Sequence, residues 1–199
     1  MKRVGTRWTW LAVAGGAMIG LLGVFPRPVE VRWSVPLLAE DAYVPMARQD
    51  SGDELVFVFI GSSRCRWSND PQLPSLVKQA RTAVIARAQE ASMGFAAIGL
   101  TSDVVPESGV EHLSRFGGFD QIVTGMGWRN VGLLKYLYDE LTGPAATPQV
   151  LVLARSVVVE AGHRAVRNER LLVRRHGLSG IRQWVVGGSR IPQFGEVAP

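Results

Sequence analysis

The run Leu55-Val56-Phe57-Val58-Phe59-Ile60 constrains this chain more than any other stretch. It has no polar residue, is rich in β-branched and aromatic side chains, and stops at Gly61-Ser62-Ser63. Strict alternation would mark a strand with one wet face. A continuous apolar run marks a strand covered on both faces. Such a strand needs neighbours in a sheet and helices on both sides, so it predicts an α/β domain.

The following pattern agrees. Residues 73–91 predict a helix, with Leu76, Val77, Ala80, Ala83, Val84 and Ala88 inward and Lys78, Arg81 and Arg87 outward. Residues 95–100 predict a strand ended by Thr101-Ser102-Asp103, residues 110–116 a short helix and 120–124 a short strand. Asn130 to Leu141 predicts a helix carrying Val131, Leu134, Leu137, Tyr138 and Leu141 on one side, stopped by Gly143-Pro144. Residues 149–153 predict a core strand, 154–156 a turn, 157–161 its antiparallel partner, and 170–186 a terminal helix that Gly177 and Gly180 weaken. Alternating strands and helices imply parallel pairing through crossovers, and the late hairpin implies antiparallel edge strands.

The first residues add a second constraint. Lys2, Arg3 and Arg7 lie in a leader over residues 1–7, and Trp8 to Phe25 then runs for 18 residues without a charge. At 1.5 Å per residue that is roughly 27 Å, enough for a thin bilayer core. Trp8 and Trp10 stand where an interfacial aromatic belt would, with Trp33 beyond the other end. The expectation is a single transmembrane anchor over 8–25. A cleaved signal peptide and a buried core helix are the alternatives, and Val24-Phe25-Pro26-Arg27 has no small-x-small cleavage site. Positive-inside bias puts residues 1–7 in the cytoplasm and the rest outside it, though Arg27 and Arg32 blur the asymmetry. Ala12, Gly16 and Gly20 recur at four-residue spacing and would let another membrane helix approach. Residues 26–54, broken by Pro26, Pro28, Pro36 and Pro45, read as a tether, 55–187 as the folded domain and 188–199 as a tail.

Composition excludes several classes. Hydrophobic residues at 47% and charged residues at 20% are ordinary for a globular chain. One cysteine in 199 residues excludes an intrachain disulfide framework, a Cys-cluster zinc site and a Cys-ligated iron–sulfur cluster. No metal or cofactor is expected. A net charge of +5 is scattered along the chain and implies no nucleic acid. His112, His163 and His176 share no metal-ligand spacing and are expected at surface or turn positions. Neither Gly117-Gly118 nor Gly125-Met126-Gly127 leads into Lys-Ser/Thr, so no phosphate loop is expected. Arg164, Arg167, Arg170, Arg174 and Arg175 form a basic stretch suited to a solvated face, lipid headgroups or an acidic partner.

Cys65 lies in Gly61-Ser62-Ser63-Arg64-Cys65-Arg66-Trp67-Ser68, just past the first core strand. Sites in open α/β sheets gather at the carboxyl ends of strands. A helix starting near Cys65 would aim N–H groups at sulfur, and Arg64 and Arg66 would add positive charge; all favour the nucleophilic thiolate. A lone cysteine is otherwise a small buried hydrophobe. Ser68 has two readings, a hydrogen-bond donor to the sulfur or a helix N-cap near Asp70. Trp67 and Trp128 are candidate contact aromatics.

A core strand, a loop cysteine, a helix, further alternation, then Thr147-Pro148 opening a hairpin and a last helix together resemble the thioredoxin superfamily over roughly residues 50–187. The likeness is to the membrane-anchored extracytoplasmic thioredoxins of bacteria. It implies a thioredoxin-like mixed sheet flanked by helices, and a place on the bacterial inner membrane with the domain in the periplasm. Cys65 matches the family's attacking cysteine, Pro148 its cis-proline beside Thr147, and Pro74 the proline of the first active-site helix, offset by about one residue. A likeness to peroxiredoxins is weaker, because Val58 stands where their proline would be. The chain departs from Cys-x-x-Cys. Ser68 takes the resolving position and Arg64 replaces the usual aromatic residue. Without a second cysteine no internal dithiol cycle is possible. Two functions from different classes follow: monothiol exchange through Cys65 with client thiols or disulfides, or a redox-inactive accessory subunit of a larger membrane complex.

Overall fold

The computed structural model describes residues 51–139, 141, 143–160 and 163–192. The leader over 1–7, the anchor over 8–25 with its Ala12, Gly16 and Gly20 face, and nearly all of the tether lie outside the described residues. Among the described residues no helix is long and apolar enough to cross a membrane.

Five strands form one sheet in the order β3-β2-β1-β4-β5. Strand β1 (Gly52–Gly61) lies at its centre, pairing in parallel with β2 (Gly94–Thr101) and antiparallel with β4 (Gln149–Glu160). Short β3 (Gln121–Val123) adds in parallel to β2, and β5 (His163–His176) closes the other edge antiparallel to β4. The expected burial on both faces is observed. Leu55, Phe57 and Phe59 face one layer, and Val56, Val58 and Ile60 the other.

The first layer consists of α1 (Leu73–Glu90), the end of α2 (Pro106–Ser114) and α4 (Gly177–Val186). Leu73, Val77 and Val84, Leu113 with the following Phe116, and Ile181 and Trp184 fill that side. Pro74 sits in the first turn of α1, where its missing N–H costs nothing. The second layer is α3 (Val131–Leu133), which continues as a π-helix over Leu134–Asp139 and buries Leu133, Tyr136 and Leu137. Asn130 caps it by accepting from the Leu133 N–H at 2.9 Å. Gly132 packs closely against β2, where a Cβ would lie 2.6 Å from Leu100 Cδ2 and would push that side chain aside.

Four expectations are corrected. The helix over 130–141 buries only part of the side that 3.6-residue periodicity selects. Leu137 is buried and Leu141 packs on the core, but Val131 is 73% exposed and Leu134 and Tyr138 are also exposed, while Leu133 and Tyr136 turn inward. Residues 154–156 are not a turn. Strand β4 runs through them, and Arg155 is buried because it pairs with the fully buried Glu54. Residues 170–176 are strand rather than helix, and the basic stretch 164–175 lies on β5. Val166, Leu171 and Val173 are interspersed among its charges, and the strand carries register shifts against β4. The last helix begins at Gly177, whose φ of +69° turns the chain out of the strand. The first strand also starts earlier than expected, at Gly52.

Arg155 Nε donates to Glu54 Oε1 at 2.6 Å, Arg155 Nη1 lies 3.4 Å from Glu169 Oε2, and Lys135 Nζ lies 2.8 Å from Glu169 Oε1. Removing one member of a buried pair strands the other charge. Arg155→Ala should therefore lower the unfolding free energy by about 3–5 kcal/mol in urea melts. A loss below about 1 kcal/mol would mean that water already reaches this network.

Candidate functional site around Cys65

Strand β1 delivers the loop that carries Cys65, and a buried carboxylate fixes it. Asp103, at the end of β2, accepts from the Ser63 N–H at 3.1 Å and from Ser63 Oγ at 2.7 Å, with Ser62 Oγ at 3.4 Å. In the sequence Asp103 marks only a strand end, its single signal a carboxylate shortly after an apolar strand. The Cys65 N–H closes a turn onto the Ser62 carbonyl at 3.2 Å. From the other side Asn69 Nδ2 donates to the Ser63 and Cys65 carbonyls at 2.7 and 3.0 Å, and Arg115 holds Asn69 Oδ1 at 2.7 Å.

The structure brings Cys65, Ser68, Thr147 and Pro148 together. Thr147–Pro148 is a cis peptide, and the Cys65 thiol donates to the Thr147 carbonyl at 3.2 Å. Burial pushes the Cys65 thiol up, but the Thr147 hydroxyl, the Ser68 N–H and hydroxyl and the Trp67 N–H together outweigh it and hold the thiol below its ordinary value. Thr147 thus acts in two senses. Its carbonyl suits the thiol and its hydroxyl suits the thiolate; the four donors decide the direction.

Ser68 is not an N-cap. It lies within a three-residue 3-10 turn (Trp67–Asn69), fully buried, and its hydroxyl has no hydrogen-bond partner. The thiolate would give that hydroxyl an acceptor. Asp70 takes the role near the helix start instead, accepting from the Gln72 N–H at 2.9 Å. The long helix α1 starts eight residues after Cys65, so two local N–H groups rather than its dipole face the sulfur. Arg64 is exposed and Arg66 lies over the Trp67 ring at 5.1 Å; neither is among the groups that lower the thiol. Trp67 is half exposed beside the sulfur, while Trp128 belongs to a separate cluster described below.

His112, expected at the surface, is buried under the loop. Its ring leans on Phe116 at 5.2 Å, and Nε2 lies 2.7 Å from where a Cβ on Gly61 would be. That Nε2 has no hydrogen-bond partner. Burial, helped by Arg115 and opposed by Asp103, brings its pKa down to about 4. Among the described residues no three His, Cys, Asp or Glu side chains gather as metal ligands.

Comparison of the chain with protein-family models, with curated proteins and with solved structures finds no match.

His112 makes the domain acid-sensitive in a defined window. The unfolded imidazole takes a proton near ~6.5, and the folded one resists until about 4. The stability it contributes is complete above the unfolded value and is lost as pH falls through that window. Urea midpoints measured from pH 7 to 4 should fall less steeply in His112→Gln than in the native chain. Parallel slopes would show that His112 is hydrated in the folded state.

Proposed function

We propose that this chain is a thioredoxin-like protein that exchanges disulfides through a single thiol, Cys65. The observation that carries the proposal is the pairing of a half-exposed sulfur, held below its ordinary pKa, with the buried and unpartnered hydroxyl of Ser68. A buried hydroxyl without a partner costs about 1–3 kcal/mol, and a thiolate at Cys65 would supply its acceptor. The Cys65 thiolate attacks one sulfur of a client disulfide. A Cys65–client disulfide forms, the client S–S bond breaks, and the departing thiolate takes a proton from water. An outside thiol then attacks the mixed disulfide and returns Cys65 to the reduced state. Pro148 and Thr147 shape the floor of the site, Ser68 steadies the anion, and Trp67 offers a contact surface for the client. The apolar run over 8–25 supports anchoring of the domain to the bacterial inner membrane, on its periplasmic side.

A second reading has its own observation. Val104, Met126 and Trp128 are exposed apolar side chains between the strands, and Val131 is exposed at the start of α3, with Met126 71% exposed at a φ of +57°. The Gly127 N–H donates to the Asp103 carbonyl at 3.1 Å, and the Gly127 Cβ position lies 3.4 Å from Val104 Cγ2. An apolar cluster of this kind suits an accessory subunit docked in a larger membrane complex.

An aromatic disulfide reagent in excess at neutral pH distinguishes the two. The exchange reading predicts one equivalent of released thiol and one adduct on Cys65, none in Cys65→Ala, and a several-fold slower reaction in Ser68→Ala. A native thiol that reacts no faster than a free cysteine, unchanged by Ser68→Ala, would favour the accessory subunit.

A further inference from the structure

Four arginines stand around the segment that runs from Cys65 to the start of α1. Arg64 and Arg66 flank the cysteine, Arg115 follows α2, and Arg182 lies on α4. All four are exposed, and none has a carboxylate partner among the described residues. Three are nevertheless held. Arg115 Nη1 donates to Asn69 Oδ1 at 2.7 Å, and Asn69 Nδ2 donates to the Cys65 carbonyl at 3.0 Å. Arg182 Nη2 donates to Gln72 Oε1 at 2.8 Å, one residue before α1. The Arg66 guanidinium lies 5.1 Å from the centre of the Trp67 ring. An amide oxygen or an aromatic face orients a guanidinium without neutralising it, so its charge stays available.

Two carboxylates share this region without pairing to these arginines. Asp103 is buried, and its oxygens are taken up by Ser62 and Ser63. Asp70 accepts from the Gln72 N–H at 2.9 Å. Nor do the arginines set the state of the sulfur, which the donors of Thr147, Ser68 and Trp67 decide. Their charge is left unpaired where a client disulfide must approach, and such a field steers an oppositely charged partner. It comes from a loop, a helix end and a second helix. It therefore suits several carboxylates along a polypeptide better than one on a small molecule.

We propose that this surface selects acidic polypeptide segments as the clients of Cys65. The inference rests on the thiol-exchange reading and names the class of client that reading leaves open. Carboxylates beside the client's disulfide meet Arg64, Arg66, Arg115 and Arg182. That raises the rate of productive encounter and orients the client sulfur toward Cys65. The Cys65 thiolate attacks that sulfur, a Cys65–client disulfide forms and the client S–S bond breaks. The departing thiolate takes a proton from water, and an outside thiol later frees Cys65.

The test uses the full chain in neutral detergent and three short peptides. Each carries one cysteine capped as its 2-pyridyl disulfide and flanked by glutamates, glutamines or lysines. Attack by Cys65 releases pyridine-2-thione, whose absorbance gives the rate. The glutamate peptide should react fastest and the lysine peptide slowest. At low ionic strength the glutamate peptide should lead the glutamine peptide by at least about tenfold, and added salt should narrow that gap. The glutamate-to-glutamine ratio should fall several-fold in Arg64→Gln/Arg66→Gln and, separately, in Arg115→Gln/Arg182→Gln. Arg64→Lys/Arg66→Lys keeps the charge and should keep most of the ratio, which a merely structural effect would not. Equal rates with the three peptides, or a ratio that both glutamine variants leave unchanged, would overturn the selection while the exchange reading stands. A Cys65 inert to every peptide would overturn both. The full chain in phosphatidylglycerol and in phosphatidylcholine vesicles tests a rival occupant. If phosphatidylglycerol alone slows alkylation of Cys65, and does so only with Arg64 and Arg66 present, the arginines serve a lipid surface and the proposal is overturned.

Discussion

Pro148 accepts the Gly177 N–H, and Thr147 before it accepts the Cys65 thiol. Through this one peptide the start of β4, the start of α4 and the loop after β1 are held together. Each belongs to a different part of the sequence, and none is near another along the chain. The contact can form only because β1 and β4 are antiparallel neighbours with Ile60 opposite Gln149. The carboxyl end of one then meets the amino end of the other. The cysteine loop and the proline loop must therefore emerge at the same edge of the sheet.

The sheet can hold that geometry because its central strand is dry on both sides. Phe57 and Phe59 are sealed by α1, α2 and α4, and Val58 and Ile60 by α3. The Asp103 braces at the loop are buried or partly buried, so water competes with them poorly, whereas those of Asn69 lie at the surface. Asp103 and Asn69 fix the backbone on either side of Cys65, while His112 fills the space behind Gly61. The sulfur is left partly exposed on a loop that is itself tightly held, an arrangement suited to nucleophilic attack on a positioned partner.

The central strand, the first helix and the second strand were legible because each is long, strongly patterned and decided by burial. The late hairpin was misread because charge hid it. Arg155 resembles a turn residue until Glu54, 101 positions away, is known to neutralise it. The arginines of β5 resemble an amphipathic helix until the edge position of that strand is known. The π-turn over 134–139 departs from the 3.6 residues per turn that a helical pattern assumes. At the site, Cys65, Ser68 and Pro148 could be picked out as residue types, but the reasons expected for their roles changed. Local N–H and hydroxyl donors, rather than Arg64, Arg66 or a long helix dipole, act on the sulfur. Asp103 and His112 carry no local motif, since their parts depend on contacts made across the fold.

The fold acts on Cys65 by holding its thiol below the ordinary value. Alkylation by iodoacetamide requires the thiolate, so its rate against pH follows the thiolate fraction, and with a single cysteine in the chain it reports this one group. The midpoint should lie below the ~8.5 of an unperturbed thiol and return to that value when the chain is unfolded in urea. A native midpoint at or above the unfolded one would contradict it, because burial would then outweigh the donors of Thr147, Trp67 and Ser68.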